Sequence, residues 1–215
     1  MGTIRACIFD LDGVVVDTAK YHYLAWKRLA QEMGFDFTPE DNEKLKGVSR
    51  MDSLSILLNI GGIKISEEEK HQLAEKKNNW YKEYIDTMTP EEVLPGVVNF
   101  FEELKLNHIK MALGSASKNA QSILEKTNLS HWFDAIIDGT KTQEAKPNPE
   151  VFLLGARELG IEPKHCAVFE DAEAGIQAAL NANMYCIGVG SPQVLSKAHQ
   201  VIPGLFDMNM AKLNV

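Results

Sequence analysis

The apolar positions Ile4, Ala6, Ile8 and Phe9 form a short run that stops at Asp10 and predicts a first strand ending there. From about residue 18 to residue 88 the apolar spacing is helical only. Thr18 precedes a face of Tyr23, Trp26, Ala30 and Met33, with Gly34 as the stop. Ser49 with Asp52, and Ser66 with Glu69, read as two capping boxes. The first heads Leu54, Leu57 and Leu58; the second heads Leu73, Trp80, Tyr81 and Tyr84. "TMTPEEVLPG" then concentrates proline and glycine and marks a boundary. Beyond it the rhythm changes. Val97, Phe100, Phe101 and Leu104 make a helix face, followed by strands over 109–113, 135–137, 166–169 and 184–189. Helices over 120–127, 149–159 and 174–182 fall between those strands.

Strand and helix in alternation imply a parallel sheet covered on both faces. The first strand belongs with that sheet, so the helical block is an insertion. The expected fold is α/β: a Rossmann-like core of residues 1–17 and 93–215, and an inserted all-helical domain of residues 18–92. A chain of 215 residues with 45% hydrophobic and 24% charged residues is ordinary for such a protein. The three cysteines (Cys7, Cys166, Cys186) lie far apart in apolar runs and read as buried free thiols of a reducing cytoplasm. "MGTIRACIFD" lacks the pattern of a secretory signal, and the apolar runs are too short to span a bilayer, so a cytoplasmic protein with no membrane partner is expected. A net charge of −8 argues against nucleic acid as a partner. A phosphorylated substrate would need local positive charge instead.

In an open parallel sheet, ligands bind beyond the carboxyl ends of the strands. Those ends carry Asp10 and Asp12, then Ser115 in "GSAS", then Glu170 and Asp171 in "FED", while Lys146 sits in "EAKPNPEVF" just before a proline-started helix. Singly, each has a plain reading as a turn, a helix cap or a solvated loop. Together, in this order at strand ends, they point to one site. Two like charges roughly 4 Å apart at an effective dielectric near ~20 repel by about 4 kcal/mol. Three converging carboxylates would therefore cost on the order of 10 kcal/mol, comparable to a domain's whole stability. A lysine helps, and a hard divalent ion with oxygen ligands completes the compensation; Mg²⁺ is the usual partner of phosphate chemistry. The six histidines are scattered without zinc-ligand spacing.

"DLDGVVVDT", "GSAS", "KPNPEVF" and "FEDAEAG" resemble the four motifs of the haloacid dehalogenase superfamily of phosphotransferases. "TAKYHYLAWKRLA", "LKGVSRMDSL" and "GSASKN" resemble more narrowly its sugar-phosphate mutase branch, which interconverts β-glucose 1-phosphate and glucose 6-phosphate. The resemblance implies Asp10 as the nucleophile that becomes an aspartyl phosphate, Asp12 as general acid and base, and Lys146 and Ser115 as catalytic partners. It implies Mg²⁺ held by Asp10, the Asp12 backbone carbonyl, Glu170 and Asp171. β-Glucose 1,6-bisphosphate is the implied intermediate and activator. Ser115 and Ala116 would bind the transferring phosphate, and Ser117, Lys118 and Asn119 would help to hold the other one. Gly13 suits a tight turn after Asp12, with plain helix-breaking as the alternative.

The helical block would be a cap that closes over a small phosphorylated sugar. Arg50 matches the residue that grips the non-reacting phosphate; by position alone it is a solvated first-turn arginine whose charge opposes the helix dipole. His22 lies near the apolar stripe, where a core histidine is the ordinary reading; the resemblance makes it the link between cap closure and Asp12. Trp26 reads as core by pattern, and Lys77 as a solvated helix position, yet both match cap positions near substrate. Lys46, Gly47, Ser53 and Asn78 match such positions too. One departure is Ala172, where a serine is expected, which removes a hydrogen bond near the metal. A phosphatase of the same superfamily shares these motifs and is the rival reading. Cations at both ends of the site, Lys146 at one and Arg50 with Lys118 at the other, favour the mutase. The chain is expected to act as a monomer.

Overall fold

The structure is a computed structural model and describes residues 3–45 and 48–213. The chain divides into two compact units, Met1–Asp17 with Thr89–Val215, and Thr18–Met88. The larger unit resumes at Thr89, not at Val93 as the proline-rich boundary suggested. The reason is visible in the backbone. Asp17 N–H donates to the Glu92 carbonyl at 2.9 Å, Leu94 N–H donates to Val15, and Val16 bridges Val93. The short turn Pro90–Glu92 is thus tied to residues on the far side of the insertion.

The larger unit is built on a parallel sheet of β1 (Ala6–Phe9), β2 (Lys110–Gly114), β3 (Ala135–Ile137), β4 (Cys166–Glu170), β5 (Tyr185–Val189) and β6 (Gln200–Ile202). The strand order is β3-β2-β1-β4-β5-β6. β1 is central, and Phe9 is level with Leu113 on one side and Phe169 on the other. That register brings Asp10, the Gly114–Ser115 corner and Glu170 to the same edge. Alternation sorts the strand side chains onto two faces. Ala6, Ile8, Ala112 and Val168 pack with Val151, Phe152 and Ile176. Phe9 stacks on Phe169 at 4.7 Å and meets Phe101 edge-on at 4.9 Å on the other face. The strands are buried on both sides, which is why they read as continuous apolar runs. β6 was not expected; it is an edge strand that opens on Gln200 and buries only Ile202, so it lacks the apolar run of the others.

Among the described residues the secondary structure of the smaller unit is helical: α1 (Ala19–Glu32), α2 (Pro39–Glu43), α3 (Arg50–Ile60) and α4 (Glu67–Ile85). α1 buries Ala25, Trp26, Leu29 and Ala30, and α4 buries Ala74, Lys77, Trp80 and Tyr81. Ser66 and Glu69 form the full capping box. Ser49 makes half of one: its hydroxyl accepts from Asp52 N–H at 3.2 Å and donates to the Asp52 carboxylate at 2.6 Å. A box not foreseen, Thr38 with Asp41, starts the five-residue α2. In the larger unit the remaining helices are α5 (Val97–Leu106), α6 (Ala120–Lys126), α7 (Glu150–Leu159), α8 (Glu173–Asn181) and α9 (Met210–Leu213).

Candidate active site

The strand-end residues of the larger unit converge as the register requires. Asp10 follows β1 by one residue, and its N–H still donates to the Phe169 carbonyl at 3.0 Å. Lys146, 5% exposed, places its ammonium 2.6 Å from Asp10 Oδ1 and 2.5 Å from Glu170 Oε1. Burial alone would lower the Lys146 ammonium, but the two carboxylates outweigh it and hold it well above its ordinary range. Burial pushes the Glu170 carboxyl up to about 7; Lys146 opposes that rise and Asp10 adds to it. The Ala172 N–H also donates to Glu170 Oε2, at 3.0 Å. Position 172 therefore supports the site through its backbone, although it lacks a hydroxyl.

One carboxylate oxygen from each of Asp10, Glu170 and Asp171 lies within 4.8 Å of the other two. An all-oxygen set of this kind fits a hard divalent cation. Two glycines make the set possible. Gly13, at φ +80°, closes the turn after Asp12 with its N–H on the Val16 carbonyl. A Cβ there would run into the Asp171 carboxylate. Gly175 in α8 leaves the same kind of room for the Glu170 carboxylate.

Ser115 is fully buried at the end of β2, its N–H on the Ile137 carbonyl. Its hydroxyl oxygen accepts from Ser117 N–H at 3.1 Å, so the hydroxyl proton stays available to donate. Ser117 Oγ in turn accepts from Asn119 N–H at 3.2 Å. Ala116 and Lys118 are exposed on the same loop.

In the smaller unit, Lys77 and His22 come together. Lys77 Nζ lies 3.0 Å from His22 Nδ1, 4.4 Å over the Trp26 ring and 4.8 Å over the Tyr81 ring. His22 stacks on Tyr81 at 4.1 Å. Burial drives the His22 imidazole well below its usual pKa, and the positive charges of Lys77 and Arg50 push it further. A neutral ring lets Nδ1 accept from Lys77 Nζ. The proton is then on Nε2. Lys77 is buried and not on a solvated face as its pattern suggested; Ser53 and Asn78 are buried as well. Arg50 opens α3, half-buried, and burial lowers its guanidinium below the ordinary value against Tyr81 and Glu75. Lys46 and Gly47 lie outside the described residues.

Residues 4–183 match the family model of haloacid dehalogenase-like hydrolases. The chain belongs to that family. It is 42% identical over 213 residues to a β-phosphoglucomutase of Bacillus subtilis, covering 98% of this chain and 94% of the relative. A solved β-phosphoglucomutase from Clostridium difficile superposes with a TM-score of 0.93 at 45% identity, over 98% of this chain and 96% of that one. A phosphorylated-carbohydrate phosphatase of Thermotoga maritima is 31% identical, over 84% of this chain and 82% of the relative. No helix among the described residues is long and apolar enough to cross a membrane.

All four sequence segments that carry the haloacid dehalogenase resemblance lie inside the matched span. Two supporting residues escaped the sequence reading. Gly175 gave only the signal of a glycine inside a helix pattern, which often has a packing reason. Glu150, in "KPNPE", gives only the signal of an acidic residue near a helix start.

Proposed function

We propose that this haloacid dehalogenase-like protein interconverts β-glucose 1-phosphate and glucose 6-phosphate through an aspartyl phosphate at Asp10. The observation that carries the reading is Asp10 itself: a carboxylate at a strand end, held by a buried lysine beside two further carboxylates. The 42% identity to a β-phosphoglucomutase across nearly the whole of both chains supports the mutase over the phosphatase.

Phosphorylated Asp10 donates to the 6-hydroxyl of β-glucose 1-phosphate. As the O6–phosphorus bond forms and the Asp10–phosphorus bond breaks, Asp12 takes the hydroxyl proton. β-Glucose 1,6-bisphosphate results, and the same compound primes unphosphorylated enzyme. After the sugar turns over, the Asp10 carboxylate attacks the phosphorus of the 1-phosphate, and the phosphorus–O1 bond breaks as the new one forms. Asp12 returns its proton to O1, and glucose 6-phosphate leaves. Such proton transfer is worth roughly 10²–10⁴-fold. Lys146, Ser115 and the Ala116 N–H hold the transferring oxygens as charge moves across them. When bound by Asp10, Glu170, Asp171 and the Asp12 carbonyl, Mg²⁺ supplies the positive charge that lets an anionic nucleophile approach a phosphate. Arg50, with Ser117, Lys118 and Asn119, grips the phosphate that is not reacting. By resemblance, His22 is the link between cap closure and Asp12, and Lys77 beside Nδ1 fixes its tautomer. Trp26, Ser53 and Asn78 line the cap side, and Lys46 and Gly47 are assigned there by resemblance alone.

The test is the fate of β-glucose 1-phosphate with Mg²⁺ and a trace of bisphosphate. Glucose 6-phosphate as the product is expected, with turnover abolished by EDTA and restored by Mg²⁺. Free phosphate as the main product would establish the phosphatase reading instead.

A further inference from the structure

Lys146 stands on a loop, and its ammonium must meet two carboxylates at hydrogen-bond distance. On the amino-terminal side of Lys146 the loop is clasped by one side chain, Glu150. Glu150 Oε2 accepts from two consecutive backbone N–H groups, Gln143 at 2.8 Å and Glu144 at 2.7 Å. Glu150 is the first residue of α7, the helix whose Val151, Phe152 and Ala156 are buried against the sheet. The clasp therefore ties the loop to a rigid element rather than to another loop. The intervening residues are braced as well. Asn148 N–H donates to the Ala145 carbonyl at 2.9 Å, and Asn148 Oδ1 accepts from Glu150 N–H at 3.0 Å. From α8, Asn181 Nδ2 donates to the Pro147 carbonyl at 3.0 Å. The Lys146 ammonium then passes 4.9 Å over the ring of Phe152, again on α7.

We infer that Glu150 is a positioning residue for phosphoryl transfer, acting through Lys146 by fixing the backbone on its amino-terminal side. The inference rests on the reading of Lys146 as catalytic. A charge-assisted bond to a backbone N–H is stronger than a neutral one, and one carboxylate oxygen here makes two. Without it, the Gln143 and Glu144 N–H groups lose that acceptor, and the backbone leading into Lys146 is held less tightly. Misplacing a catalytic group by about 1 Å can cost ~10²-fold. The arrangement differs from an ordinary helix-end carboxylate, because its acceptor oxygen faces the incoming loop and not the N–H groups of its own helix.

The experiment compares Glu150→Ala, Glu150→Gln, Lys146→Ala and the Glu150→Ala/Lys146→Ala pair in the full-length Mg²⁺ enzyme. Expected for Glu150→Ala is a fall in kcat of at least about tenfold with KM for β-glucose 1-phosphate within about twofold. Glu150→Gln, which keeps an oxygen acceptor without the charge, should recover most of the loss. The decisive readout is non-additivity: with Lys146 already removed, Glu150→Ala should cost less than about twofold more. If the two losses multiply, Glu150 acts through something other than Lys146 and the inference falls. It falls as well if Glu150→Ala turns over at the wild-type rate. If Lys146→Ala alone keeps wild-type activity, the catalytic role of Lys146 fails first, and this inference with it. Should Glu150→Ala not fold, Glu150→Asp, too short to reach both N–H groups, takes its place in the same cycle with the same criteria.

Discussion

Each unit of the molecule buries a lysine, and the two sit in different surroundings. Lys146 in the larger unit is 5% exposed and Lys77 in the smaller is 3% exposed. Lysines are almost never this buried without compensation. Lys146 sits between two carboxylates, and the compensation is charge against charge. Lys77 sits against an imidazole and the faces of Trp26 and Tyr81. A desolvated cation on aromatic faces gains on the order of 2 kcal/mol, from ring quadrupoles that bring no net charge. The larger unit thus spends its lysine on restraining acids, which a phosphate must later approach. In the smaller unit Lys77, together with Arg50, adds to the burial that lowers the His22 imidazole. In the proposed function the first region carries the chemistry and the second grips an anion.

The strongest way to break this division is at Asp10. Asp10→Asn keeps the shape and removes the attacking charge. Labelled phosphoenzyme should vanish and kcat fall by at least about 10⁴-fold, while the helical unit is untouched. Phosphoenzyme retained in Asp10→Asn would relocate the nucleophile. Next in size is Arg50→Ala, which acts only on the gripping side. Remote binding energy is what can make an aspartyl phosphate prefer a sugar to water. Phosphoenzyme chased with glucose 6-phosphate should shift from bisphosphate towards free phosphate by about 10–10²-fold. Arg50→Lys should recover only part of that, since a point charge lacks the bidentate fork. An unchanged partition ratio in Arg50→Ala would remove it from the distal phosphate.

The two regions also differ in how far they can be read from the chain. Asp10, Ser115, Glu170 and Asp171 were placed by periodicity alone, because strand ends in a parallel sheet must share an edge and each end sits beside its own apolar run. Lys146 came from its place between such ends. The helical unit gave less. Lys77 looked solvated in "EKKNN", since a helical pattern records which face is buried only when that face is apolar. A lysine buried against aromatic rings has the same letter as one in water. Gly175 and Glu150 were illegible for a related reason: what they contact lies elsewhere in the chain, and only packing brings it near.

Gly175 gives a smaller test on the chemical side. In Gly175→Ala the new methyl must displace the Glu170 carboxylate, since the two cannot occupy the same space. Helix propensity gains about 1 kcal/mol from the change, but overpacking typically costs about 1–3 kcal/mol. The half-saturating Mg²⁺ concentration should rise at least about tenfold, with a lowered Tm. Wild-type Mg²⁺ dependence in this variant would take Glu170 out of the metal set.

The smallest effect sharpens the gripping side, through His22 and pH. Its folded pKa lies well below the usual 6.5, because burial and then the charges of Lys77 and Arg50 disfavour the imidazolium. The unfolded chain has no such environment, so its His22 takes up a proton as the pH falls through about 6.5. Below that pH the unfolded state binds more protons than the folded state, and stability falls with pH; above it the contribution is flat. Linkage sets the limit at about 1.4 kcal/mol per pH unit. The side chain keeps some exposure, and water screens part of the effect. Between pH 7.5 and pH 5.5, then, His22 should account for no more than about 1 kcal/mol of lost stability. His22→Gln cannot take up the proton in either state. Its urea-unfolding free energy, whatever its offset at pH 7.5, should fall less steeply towards pH 5.5 than that of the wild type. If the two slopes are equal, His22 titrates normally in the folded protein. Lys77 would then not be held against a neutral ring, and the tautomer that presents Nε2–H would lose its support.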